Sequence, residues 1–135
     1  MLPVERRILL ALARGRTRAQ IEADECLSRT VLSARITDLH VLFGVSSSAH
    51  MVARAHAAGL LERDRVAPLV LGDTGLLRLR LIAQGVPDRL MGVRSGGVLP
   101  SSAATSRRLY LQMGAVNRPN CVHLGFCSGL LGGAS

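Results

Sequence analysis

Arg107 and Arg108 stand side by side in Ser106-Arg107-Arg108-Leu109, and paired guanidiniums offer forked donors that match phosphate oxygens or the edge of a guanine. Upstream, Arg16, Arg18, Arg29 and Arg35 flank a stretch in which Thr30, Ser33, Ala34 and Thr37 fall on one side of a helical spacing. Hydroxyls so placed hydrogen-bond base edges or a partner's polar groups, and an alanine admits close approach, for instance to a thymine methyl. The composition leans the same way. All 17 basic residues are arginine, against 9 acidic ones, for a net charge of +8, and that excess favours a polyanionic partner.

Other chemistries find less. Cys26, Cys121 and Cys127 are an odd set without paired zinc spacing, which suits a reducing cytosol. In the run from Cys121 to Cys127, a helix puts His123 and Cys127 on one face but turns Cys121 well round from both. No fourth ligand is evident, so buried thiols are expected, with no metal and no cofactor. His40, His50, His56 and His123 lie apart, the acids are scattered, and no phosphate-cradling glycine loop or nucleophile motif occurs. The chain is therefore not expected to be an enzyme. Ile8 to Ala13 is too short and too hemmed by arginine for a secretory signal, and no apolar run approaches membrane-spanning length. A soluble, cytoplasmic protein with no membrane partner is expected.

Helices must position these residues. Leu32, Ile36, Leu39 and Phe43 recur at i, i+4, i+7 and i+11, which makes one apolar stripe on a helix capped by Ser28 and ended by Gly44. Thr30, Ser33, Ala34, Thr37 and Val41 project opposite that stripe with only Asp38 charged near them, a face suited to lie against another surface. Before it, Pro3-Val4-Glu5-Arg6 opens a first helix that Gly15 ends, and the Thr17-x-x-Gln20 capping box opens a short second one. Serines 46 to 48 cap a fourth, which carries Met51, Val52 and Ala55 and stops near Gly59. A short helix joined by a tight turn to a longer one is the helix-turn-helix arrangement. Pro68 and Gly72 then punctuate a linker over 62–72.

After the linker the pattern returns at a fixed offset of 70. Leu9, Ala13, Gly15, Ala34, Leu39, Gly44, Val52, Gly59, Leu60 and Leu61 recur as Leu79, Ala83, Gly85, Ala104, Leu109, Gly114, Val122, Gly129, Leu130 and Leu131. Most are helix-ending glycines or core positions, so the expected fold is all-α, two tandem four-helix helix-turn-helix units over 1–61 and 73–135. The second copy reads as the looser one. Ser102 and Ser106 stand where Leu32 and Ile36 stood, and hydroxyls left unsatisfied in a small core cost about 1–3 kcal/mol each. Pro100 would fall in the first turn of its third helix.

These residues resemble the LuxR/GerE-type helix-turn-helix domain of bacterial transcription regulators. In the first copy the likeness runs through Pro3-Val4-Glu5-Arg6, Ile8-Leu9, Leu12-Ala13-Arg14-Gly15, Ile21, Leu27-Ser28, Ile36, Leu39, Gly44-Val45 and Ala53 to Leu61. In the second it runs through Leu79 to Gly85 and Asn117-Arg118. The resemblance implies a third helix that enters the major groove and a fourth that often serves dimerisation, here with a homodimer through the fourth helices as one outcome. The expected function is a DNA-binding transcriptional regulator whose two fused units act as an intrachain pseudo-dimer. Arg29, Thr30, Ser33, Ala34, Thr37, Arg107, Arg108 and Arg118 are its expected DNA contacts, and Arg16, Arg18 and Arg35 its phosphate contacts. The alternative is a degenerate helix-turn-helix module that binds another regulatory protein without DNA, suggested by Val31-Leu32-Ser33 where the family usually carries Thr-Val-Lys.

Overall fold

A computed structural model describes residues 1–132. It is all-helical, with α1 at Pro3–Ala13, α2 at Arg18–Glu25, α3 at Arg29–Phe43 and α4 at Ser48–Ala57. After the irregular segment 62–72 come α5 at Asp73–Ala83, a 3-10 turn at Asp88–Leu90 running into α6 at Met91–Arg94, α7 at Ala103–Met113 and α8 at Arg118–Cys127. Adding 70 to the bounds of α1 and α4 gives those of α5 and α8, and α3 and α7 end at Phe43 and Met113, positions 70 apart.

The helix ends follow from local chemistry. Thr17 Oγ1 accepts from the Gln20 N–H while Gln20 Oε1 accepts from the Thr17 N–H, so two free donors at the start of α2 are satisfied reciprocally. Ser28 and Ser47 cap α3 and α4 through the N–H groups of Val31 and His50. Gly44 closes α3 and Gly114 closes α7 in the left-handed region, at φ 66° and 71°. Cys26 ends α2 in the same conformation at φ 54°, the only non-glycine with positive φ among the described residues, and Gly96, 70 positions on, has φ 65°. An L side chain there costs about 1–2 kcal/mol, partly offset by the extra freedom glycine has when unfolded. Cys26→Gly should raise stability by about 0.5–1 kcal/mol in urea unfolding. A loss of stability would show that the exposed thiol side chain makes a contact that matters more than the backbone.

Packing joins both parts of the chain. Ile8, Leu9, Ile21, Leu32, Leu39, Met51 and Val52 from the first part and Leu79, Ile82, Met91, Val122 and Phe126 from the second belong to one buried cluster. At its centre α4 lies along α8, while α1 packs on α8 and α4 on α5. The reciprocity reaches single residues: Gly15 lies against Asn120, and Gly85, 70 positions on, lies against His50, which is 70 positions before Asn120. Asn120 also donates to the Ala13 carbonyl at 3.0 Å, stitching α8 to the end of α1. The helices expected to serve a homodimer, α4 and α8, thus pack on each other within one chain.

The second part differs from expectation in its third helix. Pro100 lies before α7 rather than in its first turn, and Ser102 is the N-cap, accepting from the Thr105 N–H at 3.4 Å. Gly96 and Gly97 at positive φ, followed by a proline without a donor, delay the helix, so it starts four residues late relative to α3. Ser106 is buried but satisfied: it donates to Asp88 at 2.5 Å and accepts from Arg78 at 2.9 Å. Arg78 is 1 % exposed and stands where the first part has Ile8, as Ser106 stands where it has Ile36. An apolar pair in one part has become a polar one in the other. Among the described residues no buried side-chain nitrogen or oxygen lacks a partner.

Candidate functional site

The outward face of α3 presents Arg29, Thr30, Ala34 and Thr37, all exposed, because Leu32, Ile36 and Leu39 take the opposite face inward. Ser33 is half-buried and accepts from Arg18 at 3.3 Å, so these two residues brace the turn between α2 and α3 rather than stand free. Arg16 is ion-paired with Asp24 on α2. Arg35 is half-buried, and neither it nor Arg29 has an ion-pair partner among the described residues. On α7 the burial of Ser106, Leu109 and Met113 turns Arg107 and Arg108 outward with Ala103 and Ala104, and neither arginine is paired with an acid among the described residues. Arg108 borders an open cleft of about 400 Å³ that Thr74, Thr105 and Gln112 also line. Val41 and Leu111, equivalent positions near the ends of α3 and α7, are 75 % and 80 % exposed.

Arg118 departs from the expected DNA contact. Its guanidinium turns inward, donating to Asp88 at 2.9 Å, to the Tyr110 hydroxyl at 3.2 Å and to the Val86 carbonyl. Asp88 thereby holds Arg78, Ser106 and Arg118 around one carboxylate. Burial works to raise the Asp88 carboxyl, but the Ser106 hydroxyl and Arg118 outweigh it and leave its pKa below the usual value. The equivalent place in the first part carries a lighter version of this staple, a 3.0 Å hydrogen bond between His40 on α3 and Ser48 on α4.

The histidines do not all lie apart. His56 on α4 and His123 on α8 meet across the seam, Nε2 to Nδ1 at 2.8 Å, and His56 stacks on Phe126 with ring centroids 4.6 Å apart. The other nitrogen of His123, Nε2, lies 2.7 Å from Asp64 Oδ2 and 3.5 Å from Cys127 Sγ. Asp64 belongs to the 62–72 segment and is held there by a forked ion pair with Arg14 at 2.8 and 3.1 Å, while its own N–H donates to Cys127 Sγ at 3.1 Å. His56, pressed mainly by burial and then by the neighbouring His123, has its pKa pushed down to about 4 and is neutral at pH 7. The Arg14 and His123 hydrogen bonds hold the Asp64 carboxyl far below the usual range, and burial pushes the Cys127 thiol up. The i, i+4 spacing of His123 and Cys127 was visible in the sequence. Their acidic partner, 59 residues upstream in a stretch without periodicity, had no local signal.

Compared with family models, with curated proteins and with solved structures, the chain matches none. Among the described residues no helix is long and apolar enough to cross a membrane.

Proposed function

We propose that the protein is a DNA-binding regulator that presents α3 and α7 to a duplex as the two reading helices of an intrachain pseudo-dimer. The observation that carries this reading is the central packing of α4 along α8 with its reciprocal α1–α8 and α4–α5 contacts. That arrangement leaves α3 and α7 outside the seam, α3 with exposed short side chains and α7 with the exposed Arg107 and Arg108 beside Ala103 and Ala104. Thr30, Ala34 and Thr37 on α3 are short enough for a groove floor, and Arg29, Arg107 and Arg108 supply exposed cationic donors for phosphates and base edges. Arg35 adds a phosphate contact at the flank. Arg16, Arg18 and Arg118 serve instead to brace the helices that carry these residues.

Fluorescence anisotropy with a labelled duplex, followed by selection from a random DNA library, tests the reading. With about four phosphates neutralised, affinity should fall about 10²-fold between 50 and 200 mM salt. Changing both Arg107 and Arg108 to alanine should weaken binding about tenfold or more and flatten the salt slope by about 2, with the unfolding midpoint unchanged because both side chains are exposed and meet no acid among the described residues. No binding to any duplex at low salt overturns the proposal, and affinity indifferent to the arginine pair removes those two residues from the site. A second reading, in which α3 and α7 hold another regulatory protein, rests on the exposure of Val41 and Leu111 at equivalent positions. Loss of duplex binding on changing those two residues to serine would count against it only if the arginine pair mattered equally.

A further inference from the structure

The convergence of Asp64, His123 and Cys127 is unexplained by any contact with nucleic acid, since His123 is 1 % exposed and lies at the seam between α4 and α8. One oxygen, one nitrogen and one sulfur ligand atom lie within 4.8 Å of one another. A thiol activated for attack would have its carboxylate on the far ring nitrogen, so that the imidazole could relay between them. Here Asp64 and Cys127 both approach the same nitrogen, Nε2, and the far nitrogen belongs to His56. Three ligand atoms of different kinds gathered on one side of the imidazole suit the inner half of a coordination sphere better than a relay.

We propose that Asp64, His123 and Cys127 bind a divalent transition-metal ion of the zinc class, with His56 and Arg14 holding the ligands, and that the ion fastens the 62–72 segment to the α4–α8 seam. The spacing fits. A tetrahedral zinc ion with bonds of about 2.0 Å to nitrogen and about 2.3 Å to sulfur sets those two atoms about 3.5 Å apart, and Cys127 Sγ is 3.5 Å from His123 Nε2. Nitrogen and oxygen ligands stand about 3.3 Å apart in the same geometry, so Asp64 has only to back away by about half an ångström from its present 2.7 Å contact. Asp64 is a third exposed, which gives it room to do so and leaves a side open for water as the fourth ligand. A thiolate and a carboxylate together neutralise a doubly charged ion, and the mixed sulfur, nitrogen and oxygen set suits zinc or cobalt rather than magnesium or calcium.

The surroundings of the three ligands match what a metal site requires. A ligating histidine donates its other ring N–H to a fixed acceptor, and His56 Nε2 stands at that place, oriented by its stacking on Phe126. Arg14 grips the carboxylate from behind, and the Asp64 N–H already points at the sulfur that would become thiolate. Cys121, which shares the sequence run, takes no part: it is buried with its sulfur 3.3 Å from that of Met113.

Titration of the metal-free full chain with zinc, and with cobalt(II) as a spectroscopic probe, tests the site without any DNA. One equivalent should bind, cobalt should give the sulfur-to-metal charge-transfer band and the intense visible bands of a tetrahedral thiolate site, and Cys26→Ser should change neither. Cys127→Ser should abolish the charge-transfer band. Asp64→Asn, which keeps the shape of a side chain a third exposed, should weaken zinc at least tenfold in competition with a chromophoric chelator, and His56→Gln should weaken it about 10- to 100-fold. Failure of the wild-type chain to bind one equivalent of zinc overturns the proposal. So does a thiolate band that survives Cys127→Ser, or an Asp64→Asn chain that binds zinc as tightly as the wild type.

Discussion

Valine at position 15 should destabilise the chain by about 2–4 kcal/mol, whereas valine at position 59 should cost about 1–2 kcal/mol. Both glycines end a helix in the left-handed region, at φ 83° and 73°, so the backbone penalty is common to the two. Their surroundings differ. A Cβ on Gly59 meets nothing within 4 Å, while one on Gly15 collides with Val116 and comes within 3.1–3.2 Å of the buried Asn120. Those two residues belong to the other part of the chain, so the additional cost measures how tightly α1 is seated on α8. Val116 is exposed and can yield, but Asn120 is fixed by its hydrogen bond to the Ala13 carbonyl and by the Asn117 cap it donates to. Urea unfolding of the two variants checks this. Equal losses would mean that the close approach at Gly15 is absorbed without disturbing the seam.

Removing the Asp88 carboxylate should cost about 2–4 kcal/mol, because it leaves the buried Arg78 guanidinium and the half-buried Arg118 without their common anion. The figure sits toward the low side for a broken buried pair, since a quarter of the Asp88 side chain remains in solvent. Arg78→Ile together with Ser106→Ile should behave oppositely. That double change writes into the second part the residues that the first part has at Ile8 and Ile36, and it exchanges a buried polar pair for an apolar one of comparable role. Its midpoint should stay within about 1 kcal/mol of the wild type or rise, while Ser106→Ile alone, which leaves the Arg78 donor facing a hydrocarbon, should lose stability. If the double variant is as weak as Asp88→Ala, the network is holding the 3-10 turn in a way that apolar packing does not reproduce.

Much of the scaffold was legible because it is written locally. Thr17, Ser28 and Ser47 each find a donor three residues on, and Leu32, Ile36 and Leu39 bury together because 3.6-residue periodicity brings them to one face. Ser102 shows where local reading stops. A hydroxyl two residues after a proline can be a core substitute or a cap, and the choice falls to Gly96-Gly97-Pro100 and to how far the preceding loop can stretch. Arg118, at the start of a helix, is expected from the sequence to contact DNA, but its partner Asp88 lies 30 residues away in a segment where the first copy's α2 gives way to a 3-10 turn and the short α6. The His56–His123–Asp64 chain is the same problem at larger separation, with partners 67 and 59 residues apart and no pattern linking them.

The seam between α4 and α8 unites two lengths of a single polypeptide, and this frees it from the law of mass action. Two-chain dimers come apart when scarce, whereas here the unfolding midpoint should not vary with protein concentration unless whole molecules associate. There is also no symmetry to obey. In a homodimer every substitution appears twice and must suit its own rotated copy, so His56 could not face His123 without a second such pair. Joined covalently, each side is free to acquire what the other lacks, which is how an isoleucine on one side can correspond to a buried arginine on the other.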